Sequence, residues 1–133
     1  MKVLSLFDGI SCGMLALQRA GIPVDCYDAF EIDKYAVTVS KRNFPVIVHH
    51  GNVYDGDFTQ FKGYDLLLGG SPCTYWSIAK KDREIDCNGE GFRLFQEYVR
   101  ALEESGCKYF LYENNYSVHQ NIKDEISKAL GVE

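Results

Sequence analysis

Apolar residues recur along the chain with two alternating spacings. Short β-rich runs give way to stretches whose apolar residues lie three and four apart, the repeat of a helix burying one face. Lys2–Phe7 (KVLSLF) predicts a strand, and Cys12–Ala20 predicts a helix with Met14, Leu17 and Ala20 on one side, stopped by Gly21 and Pro23. Val24–Ile32 (VDCYDAFEI) predicts a second strand, followed by a helix over Lys34–Arg42 that is capped by Asp33 and ended by Asn43-Phe44-Pro45. Val46–His50 (VIVHH) is a third and weaker strand. Tyr64–Gly70 (YDLLLGG), continuously apolar and bounded by glycine, predicts a fourth strand buried on both faces. Gly91–Ser105 sets Phe92, Phe95, Val99 and Leu102 on one helical stripe and stops at Gly106. Lys108–Asn114 (KYFLYEN) is a fifth strand. Val118–Leu130 is a last amphipathic helix, through Ile122, Ile126, Ala129 and Leu130, ending at Gly131.

Strands alternating with helices in this way predict a doubly wound, mostly parallel α/β sheet with helices on both faces and right-handed crossovers. Such sheets bind ligands outside the carboxyl ends of their strands, where strand order reverses. After the first strand, Phe7–Gly13 (FDGISCG) carries glycines that suit either a tight turn or a close approach to a ligand at a helix N-terminus. It is not G-x-G-x-x-G, so a dinucleotide pyrophosphate is not indicated. After the second strand, Glu31 suits ribose hydroxyls or the start of a helix, and Ile32 offers an apolar face to a base. Asn52 and Val53 follow the third, as an amide for a base edge or as turn residues. Cys73 follows the fourth strand, where Gly69-Gly70 let the backbone turn close to a ligand and Pro72 stiffens the exit. Glu113-Asn114 follow the fifth. With strands one, four and five adjacent, Cys73 and Glu113 face one cleft, a thiol and an acid suited to adding a thiolate to a ring while protonating it elsewhere.

Composition narrows this picture. At 133 residues, 46% hydrophobic and 25% charged, the chain has the size and balance of one soluble globular domain. No apolar stretch is long enough to span a bilayer and the start has no secretory pattern, which places the protein in the cytoplasm. The five cysteines (Cys12, Cys26, Cys73, Cys87, Cys107) contain no C-x-x-C pair and argue against a disulfide framework or a structural zinc site. His49 and His50 point to opposite sides of an extended chain, poor geometry for a metal, and no metal is expected. A net charge of −5 argues against an extended nucleic-acid surface on this chain. Its one basic cluster is Lys80-Lys81 with Arg83, either a solvated loop or a contact to phosphate.

Taken in order, these segments resemble the DNA cytosine-5 methyltransferase family. LSLFDGISCGMLALQRAG is similar to its first motif, FEIDKYA to its second, GGSPCTYWS to its Pro-Cys motif, GEGFRLFQEYVRAL to the helix that follows, and YFLYENN to its Glu-Asn-Val motif. The resemblance implies a Rossmann-like S-adenosylmethionine-dependent fold, truncated after about five strands, and S-adenosylmethionine as cofactor. It implies cofactor binding by Phe7, Asp8, Gly9, Ile10, Ser11, Cys12, Gly13, Glu31, Ile32, Asn52, Val53 and Pro72. Cys73 becomes the nucleophile toward carbon 6 of a flipped cytosine, and Glu113 the acid at ring nitrogen 3. Ser71, Ser77, Asn114, Lys80 and Lys81 become contacts to DNA, the implied substrate, in an enzyme of bacterial or phage restriction–modification type. Two positions depart from the family pattern: Asn52 stands where Gly-Asp-Ile has aspartate, and Asn115 stands where the last motif has valine.

Family enzymes continue with an Arg-rich motif, a target-recognition domain and a closing motif. The expectation is therefore a catalytic N-terminal half, part of a longer enzyme or acting with a second polypeptide that carries those parts. Two further readings stand beside it: a catalytically silent cofactor-binding or accessory domain, and a transfer-RNA cytosine methyltransferase.

Overall fold

The computed structural model describes residues 1–132. Its five strands are β1 (Lys2–Leu6), β2 (Cys26–Phe30), β3 (Val48–His49), β4 (Leu66–Gly69) and β5 (Tyr109–Tyr112). They form one parallel sheet in the order β3-β2-β1-β4-β5. The reversal of strand order falls at β1, between β2 and β4, and opens a crevice at the carboxyl ends. The helices are α1 (Cys12–Arg19), α2 (Lys34–Asn43), α3 (Glu90–Ser105) and α4 (Gln120–Leu130).

Alternation along each strand sends side chains to two cores. Leu4, Leu6, Phe30 and Leu67 pack with Tyr98 and Ala101 of α3 and with Phe58 and Phe61 from the segment before β4. Val3, Tyr27 and Ala29 pack on the other side with Met14 and Leu17 of α1 and with Ile47. A third cluster sits beside α3, where Trp76 packs among Phe92, Phe95, Val118 and Ile122. Each fully buried large apolar side chain contributes about 1.5–3 kcal/mol relative to exposure. Helix starts follow local chemistry: Asp33 caps α2 by accepting from the N–H groups of Tyr35 at 2.8 Å and Ala36 at 3.3 Å.

Four details differ from the sequence expectation. The third strand shrinks to Val48–His49, because it pairs only with β2 at the sheet edge, and Val46 is 73% exposed. In β4 only Leu67 is fully buried, while Leu66 and Leu68 are half-buried on the opposite face. On α3 the innermost residues are Phe92, Phe95, Tyr98 and Ala101, whereas Val99 and Leu102 are half-buried. Tyr98 is tolerated in the core because its hydroxyl donates to the carbonyls of Leu67 at 3.2 Å and Leu111 at 3.1 Å. The last helix begins at Gln120, with Val118 buried ahead of it.

His49 and His50 do point apart. The Nε2 of His49 lies 3.4 Å from Ser40 Oγ, and that of His50 lies 2.7 Å from Asp28 Oδ1. Among the described residues no cluster of three or more His, Cys, Asp or Glu could hold a metal, and no helix is long and apolar enough to cross a membrane.

Candidate active site

The loop leaving β1 is folded around one carboxylate. Asp8 accepts hydrogen bonds from the hydroxyls of Ser5 at 2.7 Å, Tyr27 at 2.6 Å and Ser11. Ser11 is fully buried and also meets Ser40 Oγ at 2.5 Å. Phe7 and Ser11 take φ values of 55° and 70°, a left-handed conformation that side-chain-bearing residues adopt only when their surroundings impose it. Burial and the Asp8 carboxylate together push the Tyr27 hydroxyl well above the ordinary tyrosine range. Of the seven loop residues, Asp8 and Ser11 thus turn their side chains inward and shape the loop. Ile10 and Cys12 are exposed, and Phe7 lines the crevice. Gly13 is required by packing, since a Cβ there would lie 2.9 Å from the Tyr27 hydroxyl. Gly9 donates its N–H to Glu31 Oε1 at 2.8 Å and so ties the ends of β1 and β2 together.

Glu31, Ile32, Asn52 and Val53 come together with Phe7 and Pro72 around a cavity of about 270 Å³. Glu31 Oε2 accepts from the N–H groups of Ile32 at 2.9 Å and Asp33 at 3.0 Å, which fixes the carboxylate at the cavity wall. Asn52 caps the turn Val53–Asp55 by accepting from Tyr54 N–H at 3.0 Å. Six lining residues lie outside the set expected from the sequence: Phe30 and Gly51 beside the expected ones, Tyr54 and Tyr75 on two short turns, and Glu90 and Leu94 on α3. Arg100 was missed as well. It donates to the carbonyls of Val53 at 2.9 Å and Gly56 at 2.8 Å, pairs with Glu97 and Glu104, and lies over Phe58. Its guanidinium pins the turn carrying Val53 to α3.

Pro72 also borders a second cavity, of about 430 Å³, lined by Gly70, Ser71, Cys73, Glu113, Asn114 and Asn115. Cys73 and Glu113 are both exposed there. A third, of about 200 Å³, includes Phe7, Asp8, Leu68, Leu111 and Glu113, so the three spaces share walls at Phe7, Pro72 and Glu113. Close packing is a further reason for the Gly69-Gly70 pair, whose members line the second and third cavities. A Cβ on Gly69 would sit 2.9 Å from the Leu6 carbonyl oxygen and from Tyr98 Cε2, and one on Gly70 would sit 2.1 Å from the Glu113 carbonyl oxygen. These glycines let β1, β5 and α3 close against β4, and the close approach at Gly70 is to the backbone that carries Glu113.

Ser71 and Asn114 brace this juncture. The Asn114 amide donates to the Ser71 carbonyl at 2.9 Å and to the Tyr112 hydroxyl at 3.1 Å, and Ser71 Oγ lies 2.7 Å from that same hydroxyl. Burial raises the Tyr112 hydroxyl above its ordinary value, and its hydrogen bonds to Ser71 and Asn114 pull the other way. Both line the second cavity, Ser71 as a buried residue and Asn114 with its amide donating within this brace. Beyond Cys73, Ser77 Oγ accepts from Ala79 N–H at 3.2 Å. Lys80 lies over the Tyr75 ring, Lys81 is exposed, and Arg83 donates to the Ser117 carbonyl at 2.6 Å. The basic cluster is therefore reduced to its two lysines. The loop returns through Glu84, whose carboxylate accepts from the first N–H groups of α3, Glu90 and Gly91, each at 3.0 Å.

A parallel sheet of this order, with an acid and apolar faces around a crevice at β1 to β3 and a thiol and a carboxyl around a second cavity at β4 and β5, is a Rossmann-like α/β arrangement with its cavities at the carboxyl ends of the strands. The chain belongs to the C-5 cytosine-specific DNA methylase family, whose model matches residues 1–130. That family uses S-adenosylmethionine as its methyl donor. The chain is 37% identical over 117 residues to the orphan methyltransferase M.SPRI of Bacillus phage SPR, covering 86% of this chain and 26% of that protein. It is 34% identical over 120 residues to the type II methyltransferase M.NgoPII of Neisseria gonorrhoeae, covering 86% of this chain and 33% of that one. It thus spans about a quarter to a third of the length of these curated relatives. Among solved structures, the fold matches the S. pombe Dnmt2 methyltransferase at a TM-score of 0.76 and 21% identity, over 98% of this chain and 40% of that one.

Proposed function

We propose that this chain carries the cofactor cleft and the base-attacking residues of a DNA cytosine-5 methyltransferase. The observation that carries the reading is the shared cavity of Cys73 and Glu113, joined through Pro72 to the crevice of Glu31, Ile32, Asn52 and Val53. The residues fit S-adenosylmethionine: Phe7, Ile32, Val53 and Leu94 offer apolar faces for an adenine. Glu31 keeps about one of a carboxylate's four acceptor positions for a ribose hydroxyl after taking three backbone N–H groups. Bound S-adenosylmethionine supplies an electrophilic methyl group.

The chain's own residues act on the base. Cys73, as thiolate, adds to carbon 6 of a cytosine flipped from its duplex, and Glu113 protonates ring nitrogen 3 so that negative charge does not build up on the ring. Carbon 5 becomes nucleophilic as a result. Once methylated, carbon 5 loses its proton to water, Cys73 departs as the thiolate, and nitrogen 3 returns its proton to Glu113, which leaves the neutral aromatic ring. The Ser71–Tyr112–Asn114 brace holds the Cys73 loop against the end of β5 throughout.

The DNA-facing surface belongs to further polypeptide, in the same chain or a second one. The net charge of −5 supports this, as does β5, an edge strand whose Tyr109 and Leu111 are 52% and 62% exposed although both are large apolar side chains. The test is a duplex containing 5-fluorocytosine, incubated with S-adenosylmethionine and this chain, alone and with the C-terminal part of a family relative. A mass-shifted adduct on Cys73, absent in Cys73→Ser, is expected. Cofactor binding with no adduct in any combination would replace this reading with that of a silent cofactor-binding domain.

A further inference from the structure

We propose that Glu90, anchored by Tyr54, selects the amino-bearing edge of the adenine. This rests on the reading of the crevice as the S-adenosylmethionine site. The crevice has two carboxylates, and they are placed differently. Glu31 is wrapped by the backbone N–H groups of Gly9, Ile32 and Asp33. Glu90, the first residue of α3, lines the same cavity and is reached by the Tyr54 hydroxyl rather than by backbone N–H groups.

Asn52 also lines this cavity, a neutral amide where the resembling family has aspartate. Its oxygen already caps the turn at Tyr54 N–H. That turn carries Tyr54, which lines the cavity, and the Tyr54 hydroxyl donates to Glu90 Oε1 at 2.6 Å. Asn52, Tyr54 and Glu90 therefore form one hydrogen-bonded edge, and Arg100 holds the turn from behind through the Val53 carbonyl. The other Glu90 oxygen pairs with the Arg93 guanidinium at 3.6 Å, an ion pair longer than a hydrogen bond, so its lone pairs can still accept one. Glu90 is thus the anionic acceptor on the Asn52 side of the crevice. An exocyclic amino group supplies the N–H that it accepts, while a ring carbonyl at the same place supplies none and faces a carboxylate.

The experiment is titration calorimetry of the whole chain with S-adenosylhomocysteine and with S-inosylhomocysteine, in which a carbonyl replaces the amino group. Wild type is expected to prefer the adenosyl compound by roughly ten- to hundredfold, the range of one charge-assisted hydrogen bond. Glu90→Gln should bring the two affinities to within about threefold, because a glutamine amide can turn to accept from one ligand or donate to the other. Glu90→Asp keeps a negative charge at the helix start but shortens the reach, and is expected to lose most of the preference. Tyr54→Phe should lose part of it. A preference unchanged in both Glu90 variants would overturn the inference, since an acid serving only the helix dipole does not distinguish the two bases. So would equal binding of the two compounds by wild type. If wild type binds neither compound, the cofactor reading fails and takes this inference with it. If Glu31→Ala loses both ligands while Glu90→Gln keeps the wild-type ratio, this inference alone fails.

Discussion

Replacing Gly70 by alanine tests how tightly the ends of β4 and β5 are closed against each other. The new Cβ would lie 2.1 Å from the Glu113 carbonyl oxygen and 3.1 Å from its carbon, where real Cβ contacts essentially never fall below 3.0 Å. Backbone, not a flexible side-chain tip, stands in the way. Relief therefore requires the end of β5 to move by roughly 0.9 Å, against the Glu113 N–H bond to the Gly69 carbonyl at 3.0 Å and the Ser71–Tyr112–Asn114 brace. Overpacking of this kind costs about 1–3 kcal/mol, and the rigid obstacle puts Gly70→Ala at the upper end. With a urea slope of about 1.5 kcal/mol per molar, about 3 kcal/mol lowers the unfolding midpoint by roughly 2 M. Gly9→Ala is the control: φ there is +60°, nothing lies within 4 Å, and only left-handed strain of about 1–2 kcal/mol is added. Both variants would be unfolded in urea by circular dichroism. A Gly70→Ala midpoint within experimental error of wild type, or above that of Gly9→Ala, would refute the close approach of β4 and β5 at Glu113.

Two further outcomes follow from the same contacts. Glu84→Ala removes the carboxylate that accepts from the Glu90 and Gly91 N–H groups, so it should cost about 1–2 kcal/mol and speed tryptic cleavage at Lys80 and Lys81; cleavage at the wild-type rate would sink that assignment. Burial raises the hydroxyls of Tyr27, Tyr64 and Tyr98 above the usual value near 10, so above pH ~10 the unfolded chain gives up protons that the native chain retains. Stability should then fall as pH rises past ~10, with these tyrosines ionising in step with unfolding in an ultraviolet titration; nine tyrosines titrating together near pH 10 in a folded chain would contradict it.

Periodicity and punctuation are local properties, and they determined most of the architecture. Alternating runs of apolar residues, with Asp33 capping one helix and Gly106 ending another, lead to five strands, four helices and a parallel sheet. The motif-bearing residues at the strand ends, Cys73 and Glu113 among them, were legible because a doubly wound sheet delivers successive carboxyl ends to one edge. Tertiary structure decided what those residues do there. Asp8 and Ser11 sit in the glycine loop yet turn inward, because three hydroxyls converge on one carboxylate from β1, β2 and α1's approach. Arg83 belongs to a basic run in sequence but is held by the Ser117 carbonyl. Tyr54, Glu90 and Arg100 carry no signal of their own, since their roles depend on a turn and a helix meeting at the crevice, 36 to 47 residues apart in the chain. Spacing along a strand or helix reports which face a residue takes, but a hydrogen bond between distant segments exists only after the sheet has brought them within about 3 Å.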